Sequence, residues 1–436
     1  MKPNVVLITI DSLRADHMGC YGYLKDTTPF IDSYINRSTL YKKAYANGPN
    51  TPNSFSSIIC SRYILESEGF TLPKRWKSIA QLLKKDGYNT YGYIAGNSWV
   101  SEFFGYDRGF DEFNSYLDHS YRYEDKLIGK KIKNIYKRKD RKRNKVLKLL
   151  DEFLLNNYVL RKKSLDEYFY NDVIEKIKNI EPPYFLWVHF MDVHYPYCPK
   201  REYQKELSKS MNSLKQQYLN LIVRLNRDTN KKRIDDIISL YDATILQVDK
   251  KVEHIINSIK KPENDLIIVT SDHGECFKEH GNFSHRTYDM YNELLHVPLI
   301  IKYPKQLKGK EINEQFSLIN LNSIILDTVH NKDNIRLDII DDNNEIIYSE
   351  GYNMPKIEKF IEEKKIRTPR VYSIIYDNKK LIIDNMNKKY LLFDLTNDKK
   401  EKKNKVKEDK KNLLLLSNLL DKHIEKEKES RIINQF

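Results

Sequence analysis

The chain has 436 residues, 40% of them hydrophobic, which exceeds a single small domain and suits one large α/β domain with a smaller companion. Its net charge of +14 is concentrated: Lys126 to Lys148 holds twelve Lys or Arg against one acid, Asp140, a local charge of +11. No nucleic-acid recognition motif accompanies that charge, no apolar run approaches the ~18 residues of a membrane span, and the four cysteines, Cys20, Cys60, Cys198 and Cys276, contain no C-x-x-C pair that would argue for a disulfide framework or a zinc ribbon.

Lys2 leads into a short strand, Asn4 to Ile10, instead of an apolar leader, so the sequence predicts a cytoplasmic protein with reduced thiols. A helix is expected from Thr28 and Pro29, with proline at an early helical position. "SIAQLLKKDGYNTYGYIAG" reads as a helix, a stop at Gly87 and a strand from Tyr88 to Ile94. After the basic stretch, Leu- and Tyr-rich helices run to about Ile180, and Pro183 to Phe190 is a second buried strand. "IDDIISLYDATILQVDKKVEHIINSI" keeps apolar spacing of three and four over many turns and predicts a long helix. "DLIIVTSDHGE" (Asp265 to Glu275) is a third buried strand and "HVPLIIKYP" a fourth. This alternation argues for an α/β fold whose central sheet is mostly parallel, with helices on both faces. Beyond Ile312 the strand candidates shorten ("EIIYSEG", "VYSIIYD", "KKLIID", "KYLLFDL"), which predicts a small C-terminal antiparallel subdomain, followed by a charged helix. The expected domains are 1–312 (catalytic, with a basic insertion at about 120–165), 313–398 and 399–436.

The basic Lys126–Lys148 stretch reads as a solvated surface or as a docking face for an acidic polymer or membrane surface; Lys399–Lys411 is a second, more mixed run. The strand ends carry the chemistry. Asp11 follows the first strand, His189, Asp192 and His194 close the second, and Asp272–His273 close the third. A lone Asp there would read as a helix cap. Three such ends together point to a divalent metal with mixed oxygen and nitrogen ligands, gathered where open α/β sheets collect their functional groups.

"NVVLITIDSLRADHMGCYGY", "TPNSFSSIICSRY", "GYDRGFDEF", "WVHFMDVHYPY", "LYDATILQVDKKV", "IIVTSDHGECFKEHGNFSH" and "LLHVPLIIKYP" occur in the order found in the sulfatase family of the alkaline-phosphatase superfamily, which the chain resembles over about residues 4–303. "KKYLLFDLTNDKKEKKN" is similar to that family's C-terminal segment. The resemblance implies an alkaline-phosphatase-like fold, with Asp11, Asp272 and His273 as metal ligands and Thr51 as a metal-contacting nucleophile. It implies catalytic roles for His194 and His285, with His280 in the same pocket and Arg14 at a common family arginine; Asn97, His189 and Asp192 are further candidates for substrate contacts, His189 equally as a core residue and Asp192 as a group that orients a histidine.

Departures from the family refine that reading. Thr51 stands where sulfatases carry Cys or Ser, Phe55 where they carry Arg, and Ser12 where they carry a second Asp. Asn97 occupies the place of a sulfate-binding lysine. Threonine does not become formylglycine, so none is expected. The ligand set favours manganese or zinc over calcium. The expected function is therefore a metal-dependent hydrolase of sulfate or phosphate esters, acting on a glycan or other anionic ester. The alternatives are a phospho-group transferase using the same site and a catalytically silent binder of acidic polymers.

Overall fold

The structure, a computed structural model, describes residues 2–67, 69–117, 165–207, 211–330, 346–352 and 371–433. The Lys126–Lys148 stretch lies outside the described residues. Strands β1 (Val5–Ile10), β2 (Thr39–Tyr45), β3 (Asn89–Ile94), β4 (Glu112–Asn114), β5 (Tyr184–Phe190), β6 (Leu266–Thr270), β7 (His296–Val297), β8 (Leu299–Lys302) and β9 (Lys310–Ser317) form one nine-stranded sheet. Its order is β4-β3-β5-β1-β6-β8-β2-β7, with β9 pairing with β2. From β4 to β6 all neighbours are parallel.

Side chains alternate across a strand, and both faces here are apolar, as a covered parallel sheet requires. Val5 and Leu7 of β1 enter one core with Phe185, Trp187, Leu266 and Ile268. Val6, Ile8 and Ile10 enter the other with Leu186, Val188, Ile267 and Val269. The Thr51–Cys60 and Ile79–Lys85 helices cover the first face, through Phe55, Ile58, Ile79 and Leu83. The long Lys231–Ser258 helix and the Leu165–Asn179 helix cover the second, through Leu240, Ile245, Val248, Phe169 and Val173.

The expected fourth strand is broken at Pro298 into β7 and β8, because proline offers no N–H to a ladder. β8 runs antiparallel between β6 and β2. The 271–295 connection stays at the carboxyl edge of the sheet, so the chain must return in the opposite direction. β9 straddles residue 312 and belongs to the large sheet.

The second sheet is the antiparallel meander β10 (Ile347–Gly351), β11 (Val371–Tyr376), β12 (Lys379–Asp384) and β13 (Lys389–Asp394). Asp377 and Asn378 turn from β11 to β12, both at positive φ (49° and 55°), the geometry of a tight hairpin turn. The Lys410–Ile433 helix buries Leu416 and Leu420 in the same core as β1.

That helix also closes over a group of acids. Glu350 is fully buried; it accepts from Leu65 N at 2.7 Å and contacts His423 Nε2 at 2.8 Å. Burial, then the Glu66 carboxylate beside it, push Glu427 up to about 8. The folded state therefore holds a proton that the unfolded chain releases near 4.5. The stabilisation is complete below that value and is lost as pH rises through about 8. Thermal unfolding of the wild type should fall between pH 5 and 9, and Glu427→Gln should flatten that fall. Equal slopes for the two proteins would show that Glu427 carries no such linkage.

Candidate active site

β1 delivers Asp11. Asp11 N continues the ladder by donating to Phe190 O at 2.9 Å, and Ser12 then turns the chain at φ 63°. Ser12 Oγ donates back to Asp11 Oδ1 at 2.8 Å. Ser271, after β6, donates to Ile10 O at 2.6 Å and accepts from Leu13 N at 3.0 Å, which staples the two strand ends together. Asp272 and His273 follow, both fully buried. Gly274 lets the chain pass the Asn292–Leu295 helix: a Cβ there would lie 2.0 Å from Glu293 O.

The long helix fixes the loop that leaves the site. Its buried Asp242 contacts His17 Nδ1 at 2.8 Å and accepts from Tyr23 and Lys25 at 2.8 and 2.6 Å. Asp249 accepts the backbone N–H groups of Phe30 and Ile31 at 2.9 and 3.0 Å, capping the Pro29–Tyr34 helix from another element.

Asp11, Asp272 and His273 bring ligand atoms within 4.8 Å of one another. His273 Nδ1 donates to Gly274 O at 2.8 Å, which fixes the tautomer and turns Nε2 inward, 3.6 Å from Asp11 Oδ1 and 3.5 Å from Asp272 Oδ2. Thr51 Oγ1 donates to Asp11 Oδ2 at 3.1 Å and lies 3.3 Å from His273 Nε2. Thr51 opens a ten-residue helix that is buried throughout, with Pro52 in its first turn. Pro52 has no N–H, and Asn53 N and Ser54 N donate to Asn50 O at 3.0 and 3.1 Å, so it is the helix dipole that favours an anion near the hydroxyl.

The electrostatics fit a cation. Burial and the adjacent Asp11 push Asp272 up to about 8. Burial would also raise Asp11, yet His194, His189 and His273 pull it well below the usual carboxylate range. Burial, then His285, hold His273 down at about 4, so its imidazole is neutral and able to ligate. Asp272 Oδ2 has no hydrogen-bond partner among the described residues. Two buried carboxylates, an orphaned oxygen and an inward-facing imidazole nitrogen are a donor set suited to a divalent ion.

Asn97 joins the cluster. Its Nδ2 donates to Asp11 Oδ2 at 3.0 Å and lies 3.1 Å from His189 Nε2, while its Oδ1 accepts from Trp99 N at 3.1 Å. His189 lies behind Asp11: fully buried, with Nδ1 2.9 Å from Thr9 Oγ1 and Phe55 edge-on to its ring. His194 and His285 stand 5.0 Å apart, ring to ring, and His285 is 4.5 Å from His273.

Three residues expected at the substrate are engaged by other groups of the protein. Arg14 is buried in a fork to Asp16 (2.8 and 2.7 Å) and a further pair with Glu279 (2.5 Å). Asp192 accepts from Lys251 and Gln247 of the long helix at 2.6 and 2.9 Å. His280 has both ring nitrogens engaged, by Glu293 at 2.6 Å and Glu401 O at 3.1 Å, and stacks on Tyr291. Conversely, sequence reasoning passed over Glu275. It is fully buried and accepts from His285 Nδ1 at 3.3 Å. Burial opposes the charge on His285, but Glu275, joined by Asp11 and Asp272, outweighs it and raises the imidazole pKa. The acid closing "TSDHGE" was the available signal.

A sheet of this order, with this buried acid–histidine cluster at its carboxyl edge, has the alkaline-phosphatase-like fold. The sulfatase family profile matches residues 3–331, and the chain belongs to that family. It is 24% identical to the arylsulfatase of Clostridium perfringens over 373 residues, 76% of this chain and 75% of that protein. It is 24% identical to mouse iduronate 2-sulfatase over 346 residues, 69% of this chain and 59% of that protein. The solved complex of BT4656 with its substrate D-glucosamine-2-N,6-O-disulfate superposes with a TM-score of 0.68 at 18% identity, covering 98% of this chain and 99% of that one. The phosphonate monoester hydrolase of Agrobacterium radiobacter superposes with a TM-score of 0.63 at 14% identity, covering 99% and 96%.

Manganese or zinc should raise the unfolding temperature, with about 2.7 kcal/mol of stabilisation at a hundredfold excess over Kd. Because Asp272 must lose its proton, uptake should strengthen as pH rises toward about 8, with proton release visible by calorimetry in two buffers. Asp272→Ala should abolish the shift. A full shift in that variant would place the ion elsewhere.

Proposed function

We propose that the chain is a metal-dependent hydrolase of sulfate or phosphate esters on an anionic glycan, with Thr51 as its nucleophile. The observation that carries this reading is the position of Thr51 Oγ1, 3.1 Å from Asp11 and 3.3 Å from His273, among the donors suited to a cation. A divalent ion held by Asp11, Asp272 and His273 would favour ionisation of the Thr51 hydroxyl and offset charge on the ester oxygens.

The chain's own groups supply the rest. Asp11 Oδ2 orients the hydroxyl, and Asn97 Nδ2 holds that carboxylate from the opposite side. Attack forms an Oγ–P or Oγ–S bond and breaks the bond to the leaving alcohol. His285, its Nδ1 on Glu275, donates the proton that the alcohol takes up, with His194 beside it. Water then cleaves the covalent ester, giving a proton back to His285, so that phosphate or sulfate leaves and Thr51 is restored. A threonine ester of phosphate is open to that second step. A sulfated threonine is harder to release, because the formylglycine route is closed to a secondary alcohol. Phosphoester chemistry is therefore at least as well supported as sulfate-ester chemistry.

Protein loaded with manganese, zinc or calcium should be assayed on an aryl sulfate, an aryl phosphodiester and a phosphonate monoester. Turnover of the phospho-compounds with manganese or zinc is expected. Thr51→Ala should keep metal affinity within a few-fold and lose kcat by on the order of a thousandfold or more. Full activity in Thr51→Ala would sink the mechanism, and turnover of aryl sulfate alone would overturn the phosphoester argument.

A further inference from the structure

His189 takes no part in the chemistry above, yet it is a fully buried imidazole at the end of a strand that is otherwise apolar on that face. It pairs in register with Thr9 of β1 and with Ile94 of β3. Phe55 of the Thr51–Cys60 helix packs edge-on against its ring, with centroids 4.9 Å apart. A leucine would fill such a place with no polar atoms to satisfy, so the two ring nitrogens call for partners.

Both nitrogens belong to one chain of buried contacts. Trp187 Nε1 donates to Thr9 Oγ1 at 3.0 Å, and Thr9 Oγ1 lies 2.9 Å from His189 Nδ1. His189 Nε2 lies 3.1 Å from Asn97 Nδ2, which donates to Asp11 Oδ2 at 3.0 Å. His189 Nε2 and Asp11 Oδ2 are themselves 3.6 Å apart, too far for a hydrogen bond, so the Asn97 amide bridges them. Met191 Sδ, 3.3 Å from the same Nδ2, is the weaker acceptor. Asn97 leaves β3 through Gly96, at φ 71°, so no strand ladder sets its place. Its amide is held at both ends instead, by Trp99 N on Oδ1 and by His189 on Nδ2. The two oxygens of Asp11 are thereby divided. Oδ2 accepts from Asn97 and from the Thr51 hydroxyl, whereas Oδ1 accepts from Ser12 and faces His273 Nε2 at 3.6 Å.

We propose that His189 is a positioning residue that acts through Asn97: it holds the amide that keeps Asp11 Oδ2 turned to the Thr51 hydroxyl and leaves Oδ1 for the cation. It takes this role in place of a substrate contact, and the assignment rests on the reading of the site given above. Thr9 and Trp187 complete the relay from the far side, where an indole that can only donate fixes the Thr9 hydroxyl as its acceptor. Partners of this kind, one layer behind a ligand, set its orientation and so its reactivity.

Three variants of the full chain test the relay. His189→Leu removes both nitrogens and keeps an apolar side chain, His189→Gln keeps a polar group level with Nε2, and Thr9→Val removes the hydroxyl at the far end. Each is titrated with cobalt(II), followed by visible absorption, and assayed for kcat and KM on the aryl phosphodiester. His189→Leu should shift the cobalt bands and lower kcat on the order of tenfold to a hundredfold, with KM within about twofold of the wild type. His189→Gln should restore most of both, and Thr9→Val should fall between the wild type and His189→Leu. A raised KM at unchanged kcat would return His189 to substrate binding and overturn the proposal. Wild-type bands and kcat in His189→Leu, or equal losses in the Leu and Gln variants, overturn it as well. Should His189→Leu not fold, Thr9→Val decides, and unchanged bands and kcat there overturn the relay. If the wild type turns over no ester, the catalytic reading fails while the cobalt bands still report whether His189 governs Asp11.

Discussion

Two carboxylates, Asp11 and Asp272, are carried to the same dry point by neighbouring parallel strands, and the rest of the site follows from that. Such a pair is stable only when a proton or a cation sits between them. The opposite displacement of their pKa values expresses the same conflict: one carboxyl yields to the histidines and the other takes the burden of burial. The surrounding devices serve to keep the conflict in place. Ser271 ties the strand ends, Gly274 lets the chain escape sideways, and the long helix clamps the outgoing loop through Asp242 and Asp249. A buried cluster of this kind is held by its scaffold and kept for its chemistry.

The cluster was legible in the sequence because a strand that ends on an acid is a local pattern. The runs before Asp11 and Asp272 are short, apolar and rich in β-branched residues, so both the strands and their ends could be read. The meander after residue 346 was legible for a similar reason. The ion pairs and hydrogen bonds of Arg14, Asp192 and His280 were not, because they join partners far apart in the chain. Arg14 meets Glu279, Asp192 meets Lys251, and His280 meets Glu401. An arginine near an active-site strand looks the same in sequence whether it faces a substrate or a pair of acids. Strand direction was hidden as well: β8 runs back because of where the preceding connection lies, and nothing in "VPLIIKYP" records that.

The smaller sheet is no appendage. Lys380 of β12 and Glu401 form an ion pair with neither side chain exposed, and Lys380 also donates to Asn292 beside the site loop. Removing one member of such a pair typically costs about 3–5 kcal/mol, because the other is left charged and buried. The pair therefore acts as a register mark, setting where the segment after β13 meets the loop that bears His285. The Lys410–Ile433 helix adds a second attachment close to the loop that follows the Thr51–Cys60 helix. Catalytic and C-terminal parts are thus joined by buried polar contacts at two places.

The margins of the large sheet have a consequence for how the protein behaves among its own copies. On one side the last strand, β4, is three residues long, and its Glu112 is engaged by Lys176. On the other, β9 turns Lys310, Glu311, Asn313 and Glu314 to solvent. A stub and a charged border are poor templates for an incoming strand. A parallel core this apolar would otherwise invite edge-to-edge stacking as the chain folds, so these margins let a sheet of nine strands remain a private one.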